Sequence, residues 1–153
     1  MEEYFQARFR YDPGRAKVWQ AIVEDLQGRF IPADSVVLDL GCGYGDFSNL
    51  VKAKKRLAVD ISGEVAGFLA PGVEFQQADV RDLSFLEPSA IDVVFASNLL
   101  EHLGKHEAMK VLQGIRSALR PGGRLILLQP NFRYCYKNYF DDYTHETIYT
   151  DES

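Results

Sequence analysis

Two cysteines among 153 residues, Cys42 and Cys135, are too few and too far apart for a disulfide framework. They form no C-x-x-C pair either, which excludes a zinc knuckle and leaves two reduced thiols. The three histidines and the acids show no recognisable metal-ligand spacing. No apolar run approaches the roughly 20 residues that a membrane-spanning helix needs. Met1-Glu2-Glu3-Tyr4 is acidic where a secretory leader would be basic, so a cytoplasmic protein is expected. Positive charge is in deficit: 17 Lys and Arg against 22 Asp and Glu leave a net charge of −5. That balance speaks against duplex nucleic acid or an anionic membrane held by diffuse charge. Repeats, charge blocks and Ser/Gly linkers are missing, and residues 1–153 read as a single domain. What is present, 46% apolar and 25% charged residues, is the composition of a folded chain.

Asp12-Pro13 reads as a helix start, with Asp12 as N-cap and Pro13 where its missing N–H costs nothing. Val18, Trp19, Ile22, Leu26 and Phe30 recur at three- and four-residue spacing, predicting an amphipathic helix over 13–27 that stops at Gly28. Ser35-Val36-Val37-Leu38-Asp39-Leu40 reads as a strand buried on both faces, and it ends in glycine. A helix over about 46–54 and a strand over 56–60 complete a βαβ unit. The alternation continues with a helix over 63–69, a strand over 73–78, a one-turn element near 83–86 and a strand over 91–96. A helix over 105–119, with Ala108, Val111, Leu112, Ile115 and Leu119 on one face, meets a turn at Arg120-Pro121-Gly122-Gly123 before a fifth strand over 124–129. Strands and helices in this order give an α/β, doubly wound, mostly parallel sheet. Residues 1–34 are expected to form an N-terminal helical cap, 35–130 the core, and 131–153 a Tyr-rich loop. Thr150-Asp151-Glu152 then resembles the first turn of a further helix.

The loop Gly41-Cys42-Gly43-Tyr44-Gly45 lets the backbone turn tightly and approach a ligand. Its spacing is G-x-G-x-G rather than the dinucleotide-binding G-x-G-x-x-G. Asp39 before it and Asp46 after it would repel a pyrophosphate and suit a positively charged ligand. Asp60 ends the second strand, where a carboxylate can accept both ribose hydroxyls, and Asp79 ends the third. Three acids at the carboxyl edge of the sheet point to a ligand site.

Val36 to Gly45, Ala58-Val59-Asp60-Ile61-Ser62, Gln77-Ala78-Asp79-Val80, Ile91 to Leu103 and Leu119 to Leu125 together resemble, in order, the motifs of class I Rossmann-like S-adenosylmethionine-dependent methyltransferases. The resemblance covers about 35–130. It implies a sheet of strand order 3-2-1-4-5, with a later helix and strands six and seven lying beyond this chain. It also implies S-adenosyl-L-methionine as cofactor and S-adenosyl-L-homocysteine as product. The backbone of Gly41, Cys42, Gly43 and Gly45 would pass the methionine part, with Asp39 near its ammonium. Asp60 would hold the ribose hydroxyls, Asp79 would meet the adenine amino group, and Ile61 and Val80 would enclose the ring. Asn98 and Leu99 would face the methionyl side, and Arg15 would reach its carboxylate.

Methyl transfer asks the protein mainly for alignment and desolvation. Where the acceptor needs a base, His102 is the first candidate and His145 the second, while His106 reads as surface. The tail's five tyrosines (134, 136, 139, 143 and 149) suit a small, organic, partly apolar acceptor, or simply pack over the sheet. No Asn-Pro-Pro-Tyr follows the fourth strand, so adenine and glutamine amide methylation find no support. Two other readings stand beside this one: a non-catalytic module that binds the cofactor, and a nicotinamide-dependent oxidoreductase. The fifth strand is expected to be an exposed edge, open to pairing with a second copy as a homodimer or to coverage by the Tyr-rich tail.

Overall fold

Five strands form one parallel sheet in the computed structural model, which describes residues 13–153. Asp12, read as a helix cap, and the acidic N-terminal residues lie outside the described range. Helix α1 (Pro13–Arg29) leads into β1 (Val36–Leu40) and β2 (Lys55–Asp60), then β3 (Val73–Gln77) and β4 (Ile91–Ser97). Helix α2 (Lys105–Ala118), β5 (Leu119–Leu128) and the four-residue α3 (Phe132–Cys135) follow. The sheet order is β3-β2-β1-β4-β5, as expected, with every neighbouring pair parallel.

Side chains alternate across the central strands, so each face collects its own helix. Leu38 and Leu40 of β1 and Val94 and Ala96 of β4 pack with Ala108, Val111 and Ile115 of α2. Val37, Val93 and Phe95 face the other way and pack with Val23 of α1 and with Phe47 and Val51. The inward stripe of α1 is Trp19, Val23 and Leu26, continued by Phe30 just past the helix end; Val18, assigned to it from spacing, is 58% exposed. Gly28 does not stop α1, which continues to Arg29.

The helix expected over 46–54 is a run of turns instead. Two helical bonds form, Asn49 N–H to Gly45 O and Val51 N–H to Phe47 O, but the ladder is broken by outside partners. Arg56 occupies the Ser48 carbonyl at 3.2 Å, and Lys52 N–H donates to Gln27 Oε1 at 2.8 Å. Side chains thereby take the groups that a helix would pair with itself. The segment over 63–69 is a 3-10 turn, Gly63–Phe68, as two glycines in six residues favour. At the start of β5, Ile91 pairs with Leu119 and Val93 with Arg124, so the predicted Arg120–Gly123 turn survives as a bulge inside the strand.

Candidate active site

The strand order reverses at β1, where crossovers depart to opposite sides and ligands of open α/β sheets bind. A cavity of about 670 Å³ opens there, against the carboxyl ends of β1, β2 and β4. Its walls include Asp39, Gly41, Cys42, Gly43, Asp60, Ile61, Asn98, Leu99, His102 and His145 from the residues singled out in the sequence. Gly45, Asp79 and Val80 are not among them.

The glycine loop is shaped by its backbone. Gly41, Gly43 and Gly45 all have positive φ, and at Gly45 (φ +72°) an added Cβ would stand 2.5 Å from Leu69 Cδ2. Only glycine meets both demands without strain. Gly41 and Cys42 donate their amides to Val59 O at 2.8 and 3.0 Å, which fastens the loop to β2.

Asp39 is 3% exposed, and burial pushes its carboxyl up to about 7, although Ser48 Oγ donates to Oδ2 at 2.5 Å. The charges of Asp60 and Asp46 add to the rise. Asp60 is held from two sides: Gly43 N–H donates to Oδ2 and Ser62 N–H to Oδ1, each at 3.0 Å. Asp46 does not stand alone as its sequence position implies. Arg15 reaches across from α1 and contacts Asp46 Oδ2 through Nε at 3.1 Å and Nη2 at 2.6 Å. Asn98, immediately after β4, adopts φ +48°, a conformation that asparagine tolerates better than most residues.

Asp79 is clasped by Arg81, through Nε to both carboxylate oxygens and through Nη2 to Oδ2 at 2.8 Å. Those bonds hold its carboxyl below the usual range. Arg81 also contacts Glu107 of α2, and Val80 packs into the core beneath α2.

The tail contributes histidine and acid rather than tyrosine. None of its five tyrosines lines the cavity; Tyr134 and Tyr143 are 84% and 87% exposed, and Tyr139 is buried with its hydroxyl donating to Thr147 O at 2.5 Å. Glu146 and Thr147 N–H donate to Glu101 O, and Thr147 Oγ1 donates to Leu103 O at 2.7 Å. This strap brings His145 to His102, with ring centroids 4.9 Å apart. His102 Nδ1 lies 2.9 Å from Thr144 Oγ1, which donates to Asp142 Oδ1 at 2.5 Å. His145 Nδ1 lies 2.6 Å from Tyr139 O, and its Nε2 lies 3.4 Å from Asp142 Oδ2. Burial raises the carboxyl of Glu101, which accepts from Gln129 Nε2 at 3.0 Å.

Trp19, read as core, also forms cavity wall, beside Phe47 stacked on Phe95 at 3.9 Å. Glu101, Asp142 and Thr144 escaped the sequence reading. The pairing of Glu101 with His102 at the end of β4 was the one local signal for any of them.

A family model described as a methyltransferase domain matches residues 37–123. The chain belongs to the class I S-adenosylmethionine-dependent methyltransferase family. Among curated relatives of this family, a trans-aconitate 2-methyltransferase of Methylobacterium nodulans is 35% identical over 115 residues, 70% of this chain and 43% of its own. A cypemycin N-terminal methyltransferase from a Streptomyces species is 33% identical over 137 residues, covering 83% of this chain and 53% of its own. In three dimensions, a SAM-dependent methyltransferase from Archaeoglobus fulgidus superimposes with a TM-score of 0.71 at 25% identity, covering 87% of this chain and 64% of that one. The chain thus spans about half the length of the curated methyltransferases it matches.

Proposed function

We propose that this chain binds S-adenosylmethionine in the 670 Å³ cavity and directs its methyl group to a small organic acceptor. The observation that carries this reading is the buried Asp39 carboxyl beside a left-handed glycine loop, a place that favours a cation and repels phosphate. When bound, the cofactor supplies a methyl group activated on a sulfonium sulfur. Asp39 takes the ammonium, the loop amides and carbonyls border the methionyl chain, and the braced Asp60 accepts from the ribose hydroxyls. Ile61, 46% exposed on the cavity rim, covers one face of the adenine. Asp79 reaches the adenine amino group, with Val80 beside the ring, by exchanging its Arg81 contacts. Asn98 and Leu99 border the methionyl side. Arg15 reaches the cofactor carboxylate while remaining near Asp46.

His102 acts as base for an acceptor that must lose a proton. Its Nδ1–H donates to Thr144, whose hydroxyl is turned outward to Asp142, and this orients the ring with Nε2 as the nitrogen carrying the lone pair. His145 supports the same wall of the cavity. A nicotinamide cofactor would set its pyrophosphate at the glycine loop, against the carboxylate of Asp39, which disfavours the oxidoreductase reading.

Calorimetry with S-adenosylhomocysteine and, separately, NADH tests the cofactor assignment: heat is expected with the first alone. Heat with NADH alone overturns the proposal. For the base, His102→Asn is expected to lower kcat about 100-fold or more, while the dissociation constant for S-adenosylhomocysteine stays within about twofold. An unchanged kcat removes His102 from the chemistry.

A further inference from the structure

We propose that Glu101, His102 and His145 form a binding site for a divalent first-row transition-metal ion. One potential ligand atom from each of the three lies within 4.8 Å of the other two. Two imidazoles and one carboxylate are the donor set of zinc, cobalt and iron(II), whereas magnesium and calcium ask for more oxygens. Metal–nitrogen bonds of about 2.1 Å need ligand atoms roughly 3.4 Å apart, which side-chain torsions can supply from the observed spacing.

The surroundings hold each ligand as metal ligands are held. His145 Nδ1 donates to Tyr139 O at 2.6 Å, which fixes the ring and enriches the opposite nitrogen. That opposite nitrogen, Nε2, has Asp142 Oδ2 3.4 Å away, a second carboxylate beside the site. His102 is anchored through Nδ1 by Thr144, and Glu101 through Oε2 by Gln129. Glu101 is 1% exposed, and a carboxylate so deeply buried is stabilised by a nearby cation. Both histidines line the main cavity, so a bound ion would be within reach of an oxygen or nitrogen donor on a molecule entering it. The inference needs nothing from the methyl-transfer reading; where the ion is bound, His102 is a ligand and not a base.

Cobalt(II) is the probe, added to the full chain after chelator treatment, with zinc as competitor. One equivalent of Co²⁺ is expected to bind, giving visible d–d absorption that one equivalent of Zn²⁺ abolishes. Glu101→Gln, His102→Ala and His145→Ala should each weaken Zn²⁺ binding at least tenfold, with thermal melts showing which variants are folded. Should Glu101→Gln fail to fold, the two histidine variants, on partly exposed side chains, carry the comparison. Absence of saturable Co²⁺ binding, or binding that all folded variants retain, overturns the site. S-adenosylhomocysteine calorimetry on the same sample reports the cofactor reading separately.

Discussion

Asp39 is where pH should govern affinity for a cationic ligand. Its carboxyl titrates near 7 because burial outweighs the Ser48 bonds, so it is mostly neutral at pH 6 and mostly charged at pH 8. An ammonium group binds the charged form. The affinity for S-adenosylhomocysteine is therefore expected to rise up to about tenfold between pH 6 and pH 8, and Asp39→Asn should flatten that rise in calorimetry. The sign for folding is opposite. An unfolded aspartate titrates near 3.9, so the stability this group contributes is complete below that value and is lost as pH rises through about 7. In the ligand-free protein, urea denaturation should show Asp39→Asn losing less stability than the parent between pH 6 and pH 8.

Among elements, the stretch from Gly41 to Leu50 is closely constrained by its neighbours. Leu69 and Asn49 close on Gly45, and Asn49 itself bridges to Phe68 O and Ala70 N at 2.9 and 2.6 Å. Gly45→Ala combines a left-handed backbone with a Cβ that has no room, so about 1–3 kcal/mol of destabilisation is expected. A lowered urea midpoint at unchanged slope is the measurement; an unchanged midpoint would mean that Leu69 yields freely. The tail strap works in the same way from the opposite wall. Its bonds to the Glu101 and Leu103 carbonyls hold His145 and Asp142 against the turn after β4, and its aromatics pack among themselves through Phe132, Tyr139 and Phe140.

For the molecule as a whole, a ligand at the switch point should stabilise every element it bridges. At one hundred times its dissociation constant, S-adenosylhomocysteine is expected to add about 2.7 kcal/mol, a rise in Tm of roughly 5–10 °C for a chain of this size. NADH at the same concentration should leave the melt unchanged. The parallel sheet and the position of its glycine loop were legible in the chain, because a strand buried on both faces writes itself as an unbroken aliphatic run. The loop's need for glycine was legible for the same kind of reason, being a demand of local backbone geometry. Local pattern failed where a distant partner intervened. Arg56 and Gln27 dissolved the helix expected after Gly45, and Arg15 answered the charge of Asp46. Arg81 occupies the carboxylate of Asp79. The meeting of His102 with His145 follows from no periodicity, since 42 residues between them must fold first into α2, β5 and the strap. Periodicity records which face of an element is buried; the identity of the group waiting on the other side is set when the layers pack.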